Sequence, residues 1–163
     1  MKTLTLTAVA LATAVSSFAL AQEQWHSGSA RVIDGDTIAI NGHTVRLKGI
    51  DAPELKQTCS LTEAKKYDCG RYARQTLIEL INGYPVACEA ATKDKYGRWL
   101  GRCGTSKTAD LGAAMVRMGW ALAFIKYEDT YVRLEQQAKA DRAGLWSGTF
   151  DKPWDWRRDH PVK

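Results

Sequence analysis

Short strand-like runs separated by tight-turn signals are the feature that most constrains the fold of this chain. Residues 31–33, 37–40 and 44–50 are rich in β-branched side chains or alternate apolar with polar ones. Asn41-Gly42, between the last two runs, is a strong signal for a two-residue hairpin. These runs therefore predict a three-stranded antiparallel meander.

A second hairpin is predicted around the turn at Asp94–Gly97, which residues 86–91 and 99–103 flank as strands. Three helices are also predicted, over most of residues 61–81, over Asp110–Met118 and over Asp129–Ala143, each followed by a glycine stop signal. Five short strands with a helix after the third favour an α+β, mainly β fold. The expected architecture is a five-stranded Greek-key barrel of the OB type with three helices, rather than a sandwich or a doubly wound sheet.

The first 21 residues have the pattern of a signal peptide. Lys2 gives a positive start, Leu4–Ala14 is apolar apart from threonines, and Ala19-Leu20-Ala21 fits a signal peptidase site. The alternative is a membrane anchor, but threonines and serines interrupt the apolar run. We therefore expect residues 1–21 to be removed on export, which leaves a protein without membrane attachment, in the periplasm or secreted.

All four cysteines lie in the part predicted to be exported, so their even number predicts two disulfides. Cys88 and Cys103 are equidistant from the midpoint of the second hairpin turn and would face each other across it. That pairing leaves Cys59 to bond with Cys69. The cysteines lack Cys-x-x-Cys spacing, which argues against zinc.

The mature chain, residues 22–163, has the length of a single domain. Its core is expected over residues 28–146, followed by a tail over 149–163 that contains Trp154 and Trp156 beside two arginines. We expect a monomer. The full sequence has a net charge of +5, which suits a polyanionic partner, although many soluble proteins carry such a charge without that purpose.

Two aspartates are candidate metal ligands. Asp36 follows Asp34-Gly35, a pair that alone could be no more than a turn, and Asp51 ends the third predicted strand. An antiparallel meander brings the end of its third strand close to the start of its second. Two carboxylates without a counter-charge repel each other, so a hard cation is expected between them. Calcium is the leading candidate, and magnesium and manganese remain open.

Three further side chains could act on a phosphodiester. Arg46 lies within the third predicted strand and Arg98 follows a Tyr-Gly turn, so each could be only a solvated surface charge, and Arg98 is expected to be largely accessible. If both converge on the aspartates, their forked guanidinium groups match phosphate oxygens. Glu54 would then be a candidate to orient or deprotonate the attacking water.

Taken together and in order, three runs closely resemble the staphylococcal nuclease (thermonuclease) family: Val32–Thr37, Arg46–Glu54 and Asp94–Arg98. The resemblance continues through Met115–Ala121 and Ala143–Trp146, so it covers about residues 28–146. Each run is weak evidence alone, but all of them in register are highly specific. The cysteine-bearing segment is similar to that of exported members of proteobacterial origin. The resemblance implies an OB-type barrel with three helices.

The resemblance also implies a role for each candidate site residue. The implied calcium ligands are Asp36, Asp51 and the backbone carbonyl of Ala52. The implied catalytic residues are Arg46, Glu54 and Arg98. The implied substrate contacts are Lys95, Tyr96 and Tyr127. Ile125 stands where the type member has a tyrosine that packs on a nucleotide, which bears on nucleotide affinity.

The sequence therefore predicts an exported, metal-dependent nuclease that cuts DNA and RNA with little sequence preference. The resemblance further implies that 3′-phosphates are left. The competing hypothesis is a catalytically inactive OB-type module that binds single-stranded nucleic acid. A decayed module would be expected to lose some of the five charged site residues, and all five are present.

Overall fold

The computed structural model describes residues 24–126 and 128–161. The predicted signal peptide, residues 1–21, and the candidate substrate contact Tyr127 lie outside the described residues. None of the helices in the described part of the chain combines the length and the apolar content needed to cross a membrane.

A curled, mainly β sheet forms a half-barrel, which confirms the α+β fold of the OB type. The strands of the described residues are β1 (Gln24–Gly28), β2 (Ala30–Val32), β3 (Thr37–Ile40), β4 (His43–Leu47), β5 (Ile50–Asp51), β6 (Cys59–Thr62), β7 (Lys65–Tyr67), β8 (Val86–Lys93), β9 (Trp99–Gly104) and β10 (Leu122–Ala123). The main sheet has the order β1-β8-β9-β4-β3-β2, in which β4 and β9 run parallel. Separate ladders join β5 to β10 and β6 to β7.

The predicted meander is present as β2, β3 and β4, but its third predicted strand, residues 44–50, is wrong in extent. A turn at Lys48 and Gly49 ends β4, so Asp51 lies in the separate strand β5, which pairs with β10. Asn41 and Gly42 both have positive φ, 49° and 81°, as a type I′ hairpin turn requires. The register of this hairpin places Arg46 of β4 opposite Thr37 of β3. Arg46 is thereby brought beside the candidate ligand Asp36, ten residues earlier in the chain.

Four α-helices accompany the sheet in the described residues: α1 (Cys69–Ile81), α2 (Leu111–Arg117), α3 (Val132–Ala140) and α4 (Pro153–Asp159). The first is shorter than predicted, because the chain from residue 59 to 67 forms the β6–β7 hairpin instead. Strand pairing of Cys59 with Tyr67 and the bridge from Cys59 to Cys69 override the helical spacing of apolar residues there. The fourth helix was not predicted, and it begins with Pro153 at its first turn.

Both predicted disulfides are present. Cys88 and Cys103 are direct partners in the β8–β9 register and are bonded to each other. Cys59 is bonded to Cys69, at the start of α1. The symmetry of the two cysteines about the turn therefore predicted the connectivity correctly.

Two apolar clusters hold the elements together. The larger lies between the sheet and the helices α1 and α2, with fully buried Ile38, Val45, Leu47, Leu77 and Met115 among its members. The smaller contains the Cys59–Cys69 bridge, Leu122 and Leu145, and the aromatic side chains packed against it include Trp146, Phe150 and Trp154. Because the smaller cluster includes residues of the C-terminal tail, it fixes α4 against the barrel.

Candidate active site

Asp36 and Asp51 converge at one end of the meander, as the sequence predicted. Asp36 directly precedes β3 and Asp51 ends β5, and their exposed fractions are 3% and 0%. The Asp36 carboxylate accepts hydrogen bonds from the Ala52 backbone N–H (3.0 Å) and the Thr37 hydroxyl (2.9 Å). The first of these bonds holds the Asp36 carboxylate against the backbone of Ala52, the residue that follows Asp51.

Arg46 bridges the two aspartates. Its Nη1 donates to Asp36 Oδ1 at 2.8 Å, and its Nη2 donates to Asp51 Oδ1. Only 13% of the Arg46 side chain is exposed, so the alternative of a solvated charge on the outer face does not hold. One guanidinium group therefore joins the two carboxylates.

Burial makes the ionised form of both aspartates costly. It raises the pKa of Asp36 to about 6, although the charge of Arg46 acts in the opposite direction. Burial also raises the pKa of Asp51, against hydrogen bonding from a second arginine, Arg157. Positive charge beside the two buried carboxylates therefore stabilises their ionised forms.

Glu54 lies at the edge of the same cluster, with a third of its side chain exposed. Its backbone is fixed by the buried Gln57, because the Gln57 side-chain oxygen accepts from the Glu54 N–H and the Glu54 carbonyl accepts from the Gln57 N–H. The Gln57 amide group also donates to the Asp151 carbonyl at 2.6 Å. The position of Glu54 is therefore coupled to the C-terminal tail.

The residue that sequence reasoning missed is Arg157, in the last turn of α4. Its Nη1 and Nη2 donate to Asp51 Oδ1 (3.0 Å) and Asp51 Oδ2 (2.7 Å), and Nη1 also donates to Glu54 Oε1 (2.7 Å). These acceptors raise the pKa of Arg157, although burial acts against them. In the sequence, the arginine pair that follows Trp156 in the tail was the feature that could have indicated this role. Arg157 is 106 residues from Asp51 and 103 residues from Glu54, so local patterns could not predict that they meet.

Arg98 pairs with Asp94 rather than with Asp36 or Asp51. Its Nε and Nη2 donate to Asp94 Oδ2, both at 2.7 Å, within the turn of the second hairpin. Burial alone would raise the pKa of Asp94, but these bonds and two backbone N–H groups lower it. With 26% of its side chain exposed, Arg98 is more enclosed than predicted, and its guanidinium lies 5.3 Å from the centre of the Tyr96 ring.

A cleft of about 1120 Å³ joins these groups. Most of the predicted site residues line it, namely Arg46, Glu54, Lys95, Tyr96 and Arg98, and the tail adds Trp156, Arg157 and His160. Asp36 and Asp51 lie beneath its floor, held by Arg46. Ile125 is 71% exposed between Phe124 and Lys126, which both line the cleft. The structure therefore places five of the predicted site residues around one concave surface, whose lining has more basic than acidic side chains.

The donor set fits a hard divalent cation in chemistry. Asp36 and Asp51 supply carboxylate oxygens, the ligand type that calcium and magnesium prefer. The described residues contain no ready group of three acidic, imidazole or thiol side chains that could hold a metal ion. Arg157 joins Asp51 to Glu54, as Arg46 joins Asp36 to Asp51, so each of these carboxylates has a guanidinium partner.

Comparison with known proteins identifies the family to which the chain belongs. A family model described as staphylococcal nuclease homologue matches residues 44–148. The chain is 36% identical to the succinoglycan biosynthesis protein ExoI of Rhizobium meliloti (strain 1021), over 73% of the chain and 63% of that protein. It is 35% identical to a probable staphylococcal-like nuclease of Oryza sativa subsp. japonica, over 76% of the chain and 31% of that protein.

A third relative is covered over most of its length. An uncharacterized endonuclease of Escherichia coli O157:H7 is 33% identical over 81% of the chain and 84% of that protein. In contrast, the chain spans between about a third and two thirds of the length of the first two relatives. Since the family model matches more than half of the chain, this protein belongs to the staphylococcal nuclease family.

Proposed function

We propose that the protein is an exported, calcium-dependent endonuclease that hydrolyses the phosphodiester bonds of DNA and RNA with little sequence preference. The observation that carries this proposal is the Arg46 guanidinium that binds both Asp36 and Asp51 beneath the cleft. Family membership and relatives named as nucleases support the reaction class. The two disulfides support export, since such bonds persist in oxidising compartments.

Each candidate residue has a chemical part in this proposal. Asp36, Asp51 and the Ala52 carbonyl would hold the cation, which neutralises phosphate charge when bound. Arg46 and Arg98 oppose the negative charge that grows on the phosphate oxygens in the transition state. For Arg98, contact with Asp94 occupies Nε and Nη2 and leaves Nη1 for a phosphate oxygen.

Glu54 is the candidate to orient water and to accept its proton as the oxygen attacks phosphorus. The bond from phosphorus to the 5′ oxygen then breaks and the leaving oxygen takes up a proton from solvent, which leaves a 3′-phosphate on one fragment and a 5′-hydroxyl on the other. The exposed Tyr96 and the neighbouring Lys95 lie where a nucleotide would contact the cleft wall. Ile125 offers no aromatic face there, so we expect weaker base stacking than in the type member.

A second groove supports a polyanionic substrate. It has a volume of about 770 Å³ and is lined by Arg31, Lys56, Arg71 and Arg74 together with Tyr72. It shares Ile33 with the cleft, and its lining contains no acidic residue. Basic side chains beside an aromatic ring suit a nucleic-acid strand that extends beyond the cleaved bond.

The test is digestion of DNA and RNA by purified protein with calcium, with magnesium and with chelator. We expect cleavage in calcium, no cleavage in chelator, and 3′ ends that a polymerase extends only after phosphatase treatment. Asp36→Asn should abolish cleavage, whereas Asp141→Asn should retain it, because Asp141 pairs with Arg117 on the surface. Full activity in chelator would contradict the metal site. Tight strand binding without cleavage under any condition would favour the inactive binding module.

A further inference from the structure

Arg157 donates to both carboxylate oxygens of Asp51, the atoms through which Asp51 would bind a cation. We propose that Arg157 is the internal counter-ion of the cation-free active site, and that a divalent cation displaces it from Asp51. This inference rests on the metal site of the proposed function. It extends the active site to α4, which lies outside the residues that the family model matches.

The contacts of Asp51 make the competition direct. Asp51 Oδ1 accepts from both Arg46 and Arg157, and Asp51 Oδ2 accepts from Arg157. A cation at Asp51 needs one of these oxygens and would place two positive charges beside the guanidinium group. Both the loss of the shared oxygen and the like-charge repulsion oppose simultaneous binding.

Arg157 rather than Arg46 is the group that leaves. Arg46 extends from within β4, next to its last residue, and 13% of its side chain is exposed. Arg157 lies in the last turn of a seven-residue helix, and 38% of its side chain is exposed. Its side chain can turn into the cleft without breaking a strand, so its displacement costs less.

The start of α4 is anchored, so displacement need not unfold the tail. Pro153 is buried, the Trp154 ring lies 5.6 Å from that of Phe124, and the Asp151 carbonyl accepts from Gln57. These contacts precede the last turn of the helix. They hold Arg157 within reach of the carboxylates, where it can return when the cation leaves.

One displacement would release two functional groups. Arg157 binds Asp51, a proposed metal ligand, and Glu54, the proposed water-orienting residue, through the same guanidinium. While this contact persists, neither carboxylate is fully available for its role. Cation binding therefore completes the metal site and releases Glu54 in the same step.

Calcium affinity measured by calorimetry on the full mature protein tests this competition. If the arginine-bound state holds at least about 90% of the cation-free protein, Arg157→Gln should bind calcium at least about tenfold more tightly. Arg158→Gln is the matched control, because Arg158 lies on the same helix but pairs with Asp155 and Asp159. Arg158→Gln should change the calcium affinity less than about twofold. This control distinguishes the effect of removing an arginine from Asp51 from the effect of removing one nearby positive charge.

Equal or weaker calcium binding by Arg157→Gln would overturn the inference, since Arg157 would then be indifferent to the cation or help to position its ligands. If the variant does not fold, NMR of the arginine Nε–H groups in the unmodified protein decides. The Arg157 signal should shift as calcium saturates the site, and an unchanged signal would refute displacement. Absence of calcium binding in every protein would overturn the proposed calcium site as well, whereas binding with equal affinities would overturn only this inference.

Discussion

The bridge from Arg46 to the two aspartates should contribute strongly to stability in the absence of metal. Arg46→Met keeps the apolar stem and removes the charge that Asp36 and Asp51 share. Removing one partner of a buried ion pair typically costs about 3–5 kcal/mol, because it leaves an uncompensated buried charge. Asp51 keeps its contacts with Arg157 while Asp36 keeps only neutral donors, so we expect the lower end, about 3 kcal/mol.

Thermal and urea unfolding in chelator at neutral pH measure this loss, which corresponds to about 10 °C for a domain of this size. Arg98→Met is the control and should cost less than about 1 kcal/mol, because Asp94 keeps two backbone N–H donors. Adding Asp36→Asn to Arg46→Met should recover at least half of the loss, since the unpaired charge is then gone. A loss below about 1 kcal/mol for Arg46→Met, or no recovery in the double variant, would refute the reasoning.

Three further changes test the site and its support. Arg98→Ala should lower turnover at least about a hundredfold. Arg98→Lys should rescue little, because one ammonium group cannot keep the paired contact with Asp94 and also donate to a phosphate oxygen as the planar guanidinium can. Near-normal turnover in Arg98→Ala would make Arg98 only a turn residue. Replacing Cys59 and Cys69 by serine should cost about 3 kcal/mol in urea unfolding, from a sequence separation of 10; an unchanged midpoint would contradict this. Gly70→Ala should lower both stability and turnover, because the added Cβ would lie 1.7 Å from the Glu54 carbonyl oxygen. Unchanged stability and turnover in this variant would show that the backbone at Glu54 can shift without cost.

Local rules account for the parts of the fold that could be predicted. The Asn41-Gly42 turn needs positive φ at both positions, which these two residues tolerate better than others, so the turn defines the hairpin register. That register places Arg46 opposite Thr37, and the position of Asp36 follows. The Cys88–Cys103 bridge was predictable for a similar reason, because symmetry about a turn specifies a cross-strand pair.

Contacts between distant segments account for what the sequence could not show. The segment before α1 pairs as a hairpin because the Cys59–Cys69 bridge and the tail pack around it, and apolar spacing contains no information about that environment. The enclosure of Arg98 by Asp94 was missed because a turn with two charged residues has many side-chain arrangements. Arg157 was missed because its acceptors are joined to it only through the docking of α4.

The candidate site is wider than the segment that family comparison matches. Asp36 precedes the matched residues 44–148 and Arg157 follows them, yet both contact side chains inside that segment. Both additions bring charge to the same buried cluster, one as a carboxylate and one as a guanidinium. A nuclease barrel needs positive charge at its acidic floor whether or not a metal ion is bound, because buried carboxylates are costly when unpaired. Under the displacement proposed above, the tail would supply that charge reversibly, and the contact that stabilises the acidic cluster would oppose cation binding.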